Sequence, residues 1–205
     1  MPELLFLDDD PGLLTRIRGE ASCLSFPPRN TVRCDGAPLF RSPAARDVGC
    51  LLDVDPTVIS WTCLPTVIEE RGTHVPDFMV HRAAGTTLVD VVPAQGTLSE
   101  WIRTAVVALG YRHEIACPAD HGDVRLANAR ALLRYANWQV SLGDRVRLLA
   151  ILAEDGPLPI GACMHVIRDR DAMGTIANLA LHRFIEIELD DVHIGPDTRV
   201  NRFRG

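Results

Sequence analysis

Between residues 76 and 92 the chain reads Pro-Asp-Phe-Met-Val-His-Arg-Ala-Ala-Gly-Thr-Thr-Leu-Val-Asp-Val-Val. Two β-rich runs flank a turn around Ala84-Gly85, which predicts a strand, a tight turn and a second strand. One carboxylate, Asp77, stands before the turn, and a second, Asp90, stands on the strand after it. Residues i and i+2 of a strand point to one face, so Asp90 and Val92 share a side. The chain contains no lysine: all 21 of its basic side chains are arginine.

At 205 residues and 22.5 kDa there is room for one medium domain and a small one. The 47% apolar content fits a globular protein with a real core. No apolar run approaches the roughly 20 residues that cross a bilayer. The opening Met-Pro-Glu-Leu-Leu-Phe-Leu-Asp-Asp-Asp lacks the basic start and long apolar stretch of a secretory signal. The expectation is a cytoplasmic chain, nucleoid-associated if it meets DNA, with no membrane partner. Asp8-Asp9-Asp10 reads as a solvated acidic cluster or a helix start.

A net charge of −6 argues weakly against nonspecific nucleic-acid binding, because phosphate contacts need clustered positive charge. Placement of the arginines matters more than their sum, and arginine suits bidentate contact with phosphate or guanine. Six cysteines are scattered with no close pair, so buried reduced thiols are expected rather than zinc ligands.

Residues 1–40, rich in Pro, Gly and Arg, read as an N-terminal arm with a short helix near Pro11–Glu20. Ala45, Val48, Leu51 and Leu52 recur at helical steps after Ser42-Pro43, a cap followed by proline at the first helical position. Strands are expected at Val58–Leu64, Thr66–Glu70, Val75–His81 and Thr86–Val92. A helix over Leu98–Leu109, a strand over Tyr111–Cys117 and a helix over Asp123–Tyr135 follow. This order implies a mixed sheet covered by helices over residues 41–138. From 139 to 205 the reading is three short helices (Arg145–Glu154, Pro159–Ile167, Asp171–Arg183), a strand at Phe184–Leu189 and a ribbon over Asp190–Val200. That is the layout of a winged helix-turn-helix.

The stretch Ser-Pro-Ala-Ala-Arg-Asp at 42–47, ending Leu-Leu-Asp-Val-Asp-Pro-Thr-Val at 51–58, resembles the helix signature of TnsA-like transposon endonucleases. So do Trp61-x-x-Leu64-Pro65, Val75-Pro76-Asp77-Phe78-Met79-Val80 and the run from Arg125 to Tyr135. The similarity runs from about Phe40 to the C-terminus. It implies a restriction-endonuclease-like α/β fold followed by a small winged-helix domain. In that family a helix glutamate, a strand aspartate and a Glu-x-Lys pair hold Mg and activate water. Here the helix glutamate falls on Ala45, the aspartate is kept as Asp77, the pair's acid is Asp90 and its lysine is Val92. Leu64 stands where a glutamine is common. Arginine stays protonated and cannot take over a lysine's proton transfers. The resemblance therefore implies a degenerate, noncatalytic member with no cofactor. Mg on Asp77 and Asp90 is needed only if a rearranged nuclease site is active.

Candidate DNA contacts are Arg130 and Arg134 on one face of the 123–135 helix; salt bridges are the competing role for that pair. Thr175, Asn178 and His182 on the expected recognition helix, with Arg199 and Arg202 near the wing, complete the set. The stretch from Tyr111 to His121 mixes His, Glu, Cys and Asp without the spacing of a metal site. The expected partner is double-stranded DNA, with a transposase-like protein or a second copy of the chain as alternatives. A protein-binding scaffold is the competing class.

Overall fold

The computed structural model describes residues 11–93, 96 and 98–203. In chain order they form α1 (Pro11–Ser22), α2 (Pro43–Val54), β1 (Val58–Cys63), β2 (Ile68–Glu69), β3 (Thr73–His74), β4 (Phe78–Arg82), β5 (Gly85–Val91), α3 (Glu100–Ala108) and β6 (Arg112–Ala116). Then come α4 (Asp123–Leu133), α5 (Leu142–Glu154), β7 (Leu158–Pro159), α6 (Ile160–Val166), α7 (Ala172–Leu181), β8 (Ile185–Ile187) and β9 (Arg199–Arg202). The acidic cluster at 8–10 lies outside the described residues.

The chain divides into two units. The first holds residues 33–48 and 57–120 together with α1, and the second holds 28–32, 49–56 and the chain from 121 onward. Two expected boundaries move. The break foreseen at 138/139 falls at 120/121, because Ala129, Leu132 and Leu133 of α4 join Leu148, Leu152, Ile176 and Leu179 in one apolar core. Asn128 of α4 ties it further, donating to the Leu189 and Val192 carbonyls and accepting from the Ile194 N–H. The N-terminal segment is no separate arm. Arg18 of α1 donates to the Leu64 carbonyl at 2.8 and 3.2 Å, and residues 33–35 run alongside β1.

The first unit is built on a four-stranded mixed sheet in the order β1-β4-β5-β6. Its first three strands are antiparallel neighbours, and β6 runs parallel to β5. A parallel neighbour needs a crossover, which α3 supplies. The hairpin between β4 and β5 closes through Ala83-Ala84, and Gly85 takes φ 126°, a value side chains rarely adopt. Trp61, Phe78 and Val80 fill one face beside Phe40, with rings 5.5 to 6.3 Å apart. Leu88 packs on the other face with Ile68 and with Ile102, Ala105 and Val106 of α3. The outer edge of β1 is covered at its middle, where Trp61 and residues 33 and 35 exchange backbone hydrogen bonds of 2.9 and 2.7 Å. Among the described residues no strand pairs with the outer edge of β6.

The second unit packs its helices with a three-stranded antiparallel sheet in the order β7-β9-β8. α5 starts at Leu142 rather than Arg145 because Ser141 caps it, accepting from the Asp144 N–H at 3.0 Å. β7 was not foreseen. Its Pro159 is tolerated because the strand lies at a sheet edge, where a missing N–H costs little. The expected strand Thr66–Glu70 shrinks to the two-residue β2, paired with β3.

Candidate functional site

Asp77 and Asp90 are the polar features of the first sheet that resemble a catalytic pair, and register brings them close. Asp77 immediately precedes β4, which pairs with β5, and Asp90 lies on β5. Both oxygens of each carboxylate already have a partner. Arg41 donates from Nε and Nη2 to one oxygen of Asp77 at 3.0 and 2.8 Å, and the Val91 N–H donates to the other at 2.8 Å. Burial pushes the Asp77 carboxyl up from its ordinary value of 3.8, and the nearby Asp90 adds to the rise. Arg41 and the Val91 N–H pull the other way but do not overcome it.

Asp90 is 2% exposed and bridges two imidazoles. His74 Nε2 lies 2.8 Å from one oxygen, and His113 Nε2 lies 2.8 Å from the other. An ionised carboxylate only accepts, so against it both Nε2 atoms carry hydrogen. Three elements converge here: β3 carries His74, β5 carries Asp90 and β6 carries His113. Leu88 opposes His113 across the parallel ladder, so His113, Leu88 and Asp90 share the α3 face. Trp101 of α3 stands edge-on to His74, with ring centroids 6.5 Å apart.

The other positions of the expected centre hold no reactive group. Ala45 is buried in α2, one turn after Ser42, whose Oγ accepts from the Ala45 N–H. Val92 is partly buried, and its N–H donates to the Ala116 carbonyl at 3.0 Å. Arg82 is drawn toward Glu114 at 3.8 Å. Leu64, ahead of Pro65, is fully buried at φ 47°, a left-handed conformation unusual for a leucine. Its N–H donates to the Asp77 carbonyl, and its own carbonyl takes the Arg18 hydrogen bonds. The chain entering the site is thus fixed from both sides.

A divalent ion on Asp77 and Asp90 would have to displace a guanidinium and a backbone N–H from one acid and two imidazoles from the other. Among the described residues no group of three or more His, Cys, Asp or Glu is arranged to hold a metal. In the triad around Asp90 the ring nitrogens bond to the carboxylate itself.

The expected DNA contacts separate into two sets. Arg130, Arg134, His182, Arg199 and Arg202 are exposed. Thr175 and Asn178 are buried, and Asn178 spends its amide on the Ala136 carbonyl at 3.0 Å. Residues 174–179 of α7 are all buried, so this stretch offers no face to a groove. Both residues therefore leave the list of base-reading side chains. The reason is packing by α4 and the Tyr135–Trp138 turn: a Cβ added at Gly174 would come within 2.9 Å of the Trp138 ring.

Sequence reasoning missed Arg41, His74 and His113. Only His113 lay in a stretch that drew notice, and nothing local to it points to Asp90, 23 residues away. Set against models of known protein families the chain matches none, and no characterised protein matches it significantly in sequence.

Proposed function

We propose that the chain is a noncatalytic, TnsA-like protein that acts by binding DNA, in regulation or in mobile-element biology. The observation that carries the noncatalytic part of this reading is the internal pairing of both oxygens of Asp77 and of Asp90, where a nuclease would hold its metal. The order α2, β1, β4, β5, α3, β6, with a parallel last strand, supports a restriction-endonuclease-like first unit. The order α5, β7, α6, α7, β8, β9, with β9 between β7 and β8, supports a winged-helix second unit. Enclosure of α7 argues for contact with phosphates through exposed arginines such as Arg134, Arg199 and Arg202, rather than base reading by that helix.

Fluorescence anisotropy on mixed-sequence duplexes across a salt series tests this. Binding is expected at low salt and weakens steeply as salt rises, because phosphate contacts release counterions. No change in anisotropy at low salt ends the DNA reading. Supercoiled plasmid with Mg or Mn is expected to stay intact. Nicking abolished by Asp77→Ala would restore the alternative of an active endonuclease with a rearranged site.

A protein-binding scaffold is the second reading, and one observation favours it. On α5, Leu142 and Val146 are 65% and 56% exposed one turn apart, an apolar stripe suited to a protein rather than a phosphate.

A further inference from the structure

The two edges of the first sheet are not equivalent. β1 is covered at Trp61 by residues 33–35, whereas β6 has no partner strand beyond it among the described residues. An unpaired edge presents N–H and C=O groups ready to bond another chain. The direction of those groups follows from one contact. The Ala116 carbonyl accepts from the Val92 N–H on the β5 side. Backbone groups of successive strand residues alternate between edges, so those of His113 and Ile115 point outward. Tyr111 has the same parity, but its N–H is already given to the Val106 carbonyl, which leaves only its C=O.

The side chains along this edge are self-complementary. Place a two-fold axis at His113, and antiparallel pairing of β6 with a second β6 sets Arg112 opposite Glu114 of the other copy, twice. It also sets Ile115 opposite Tyr111, an aliphatic–aromatic cross-strand pair of the kind that stabilises sheets. Arg112 and Glu114 are both exposed. Ile115 on this strand is 44% exposed, and Val107 and Leu109, in the segment that leads from α3 into β6, are 59% and 52% exposed. On a lone copy these would face water beside an open ladder.

We propose that β6 is a homodimer edge, with two copies joining their four-stranded sheets by antiparallel β6–β6 pairing about a two-fold axis at His113. In this register His113 exchanges two hydrogen bonds with its counterpart. Each Ile115 N–H donates to the Tyr111 carbonyl of the other copy. The interface is isologous, one patch meeting itself, as closed dimers require.

Sedimentation velocity of the full chain across a concentration series, under reducing conditions, tests the proposal. The unmodified protein is expected to shift from monomer to dimer as concentration rises. Arg112→Glu and Glu114→Arg, taken singly, each put like charges opposite one another at two symmetry-related points, which raises the dissociation constant about tenfold. The double variant Arg112→Glu/Glu114→Arg restores opposite signs and is expected to recover dimerisation. Ile115→Pro removes an outward N–H without touching the β5 ladder and is expected to give a monomer. Circular dichroism checks that each variant is folded. A protein that stays monomeric up to its solubility limit overturns the proposal. So does a dimer that ignores the single charge reversals, or a double variant no better than the singles.

Discussion

Asp90 in the first unit and Asp144 in the second are nearly equally buried, at 2% and 3% exposed, yet they are held in different ways. Asp144 combines two partners within one helical turn with a third from 24 residues away. It sits at the start of α5, bonded to the Ser141 hydroxyl, the Arg147 guanidinium and the Arg168 N–H. These partners hold its carboxyl well below the ordinary range, at about 2, with the Arg168 N–H the largest cause. Asp90 has no such local support and relies on two histidines from other strands. An acid in the first turn of a helix draws part of its support from that turn, whereas this sheet acid draws all of it from other elements.

Four substitutions probe that contrast, and urea unfolding reads each of them. Asp90→Ala leaves two interior imidazoles without an acceptor and is expected to cost about 3 kcal/mol. A loss under about 1 kcal/mol would mean that the histidines find other partners and the triad is incidental. Asp144→Ala takes an acceptor from the Ser141 hydroxyl and the Arg147 guanidinium and strands the Arg168 N–H, for an expected loss of about 2 kcal/mol. Gly174→Ala normally steadies a helix, but here the new methyl meets the Trp138 and Tyr135 rings, and a loss of about 1–2 kcal/mol is expected. A gain would mean that α7 has room on that side and would reopen it as a reading helix. Asp77→Asn is expected to change stability least, by under about 1 kcal/mol, because removing an ionised group that burial disfavours offsets the weakened Arg41 contact.

Acidity gives the same contrast a sign. Asp144 has a depressed folded value, so its stabilisation is present above about 3.8 and is lost as pH falls toward 2. Asp77 has a raised folded value, so its contribution weakens as pH rises from 3.8 through that value and stays level above it. Unfolding of Asp144→Asn and Asp77→Asn across this range should show opposite slopes relative to the unmodified chain. Parallel slopes would contradict the assigned causes.

The local parts of this architecture were legible in the residues themselves. Ser42-Pro43 marks the start of α2, and the hairpin around Gly85 is encoded by its turn and flanking runs. What the sequence did not disclose depends on contacts across long stretches of chain. Arg41 reaches Asp77 over 36 residues, and His113 reaches Asp90 over 23. Helix periodicity showed that α4 has an apolar face but not which core receives it. In the same way, the apolar character of 172–181 was plain, but the burial of residues 174–179 depends on Tyr135 and Trp138 arriving from elsewhere.

The strip at 33–35 that pairs with the middle of β1 has a bearing on how far assembly can proceed. A sheet able to extend in both directions is a seed for fibres, since every addition exposes a fresh template. With one side blocked, joining through the remaining side uses up both available surfaces at once. In the proposed dimer growth then ends at a pair, with the limit set by a few residues of coil that form no regular element.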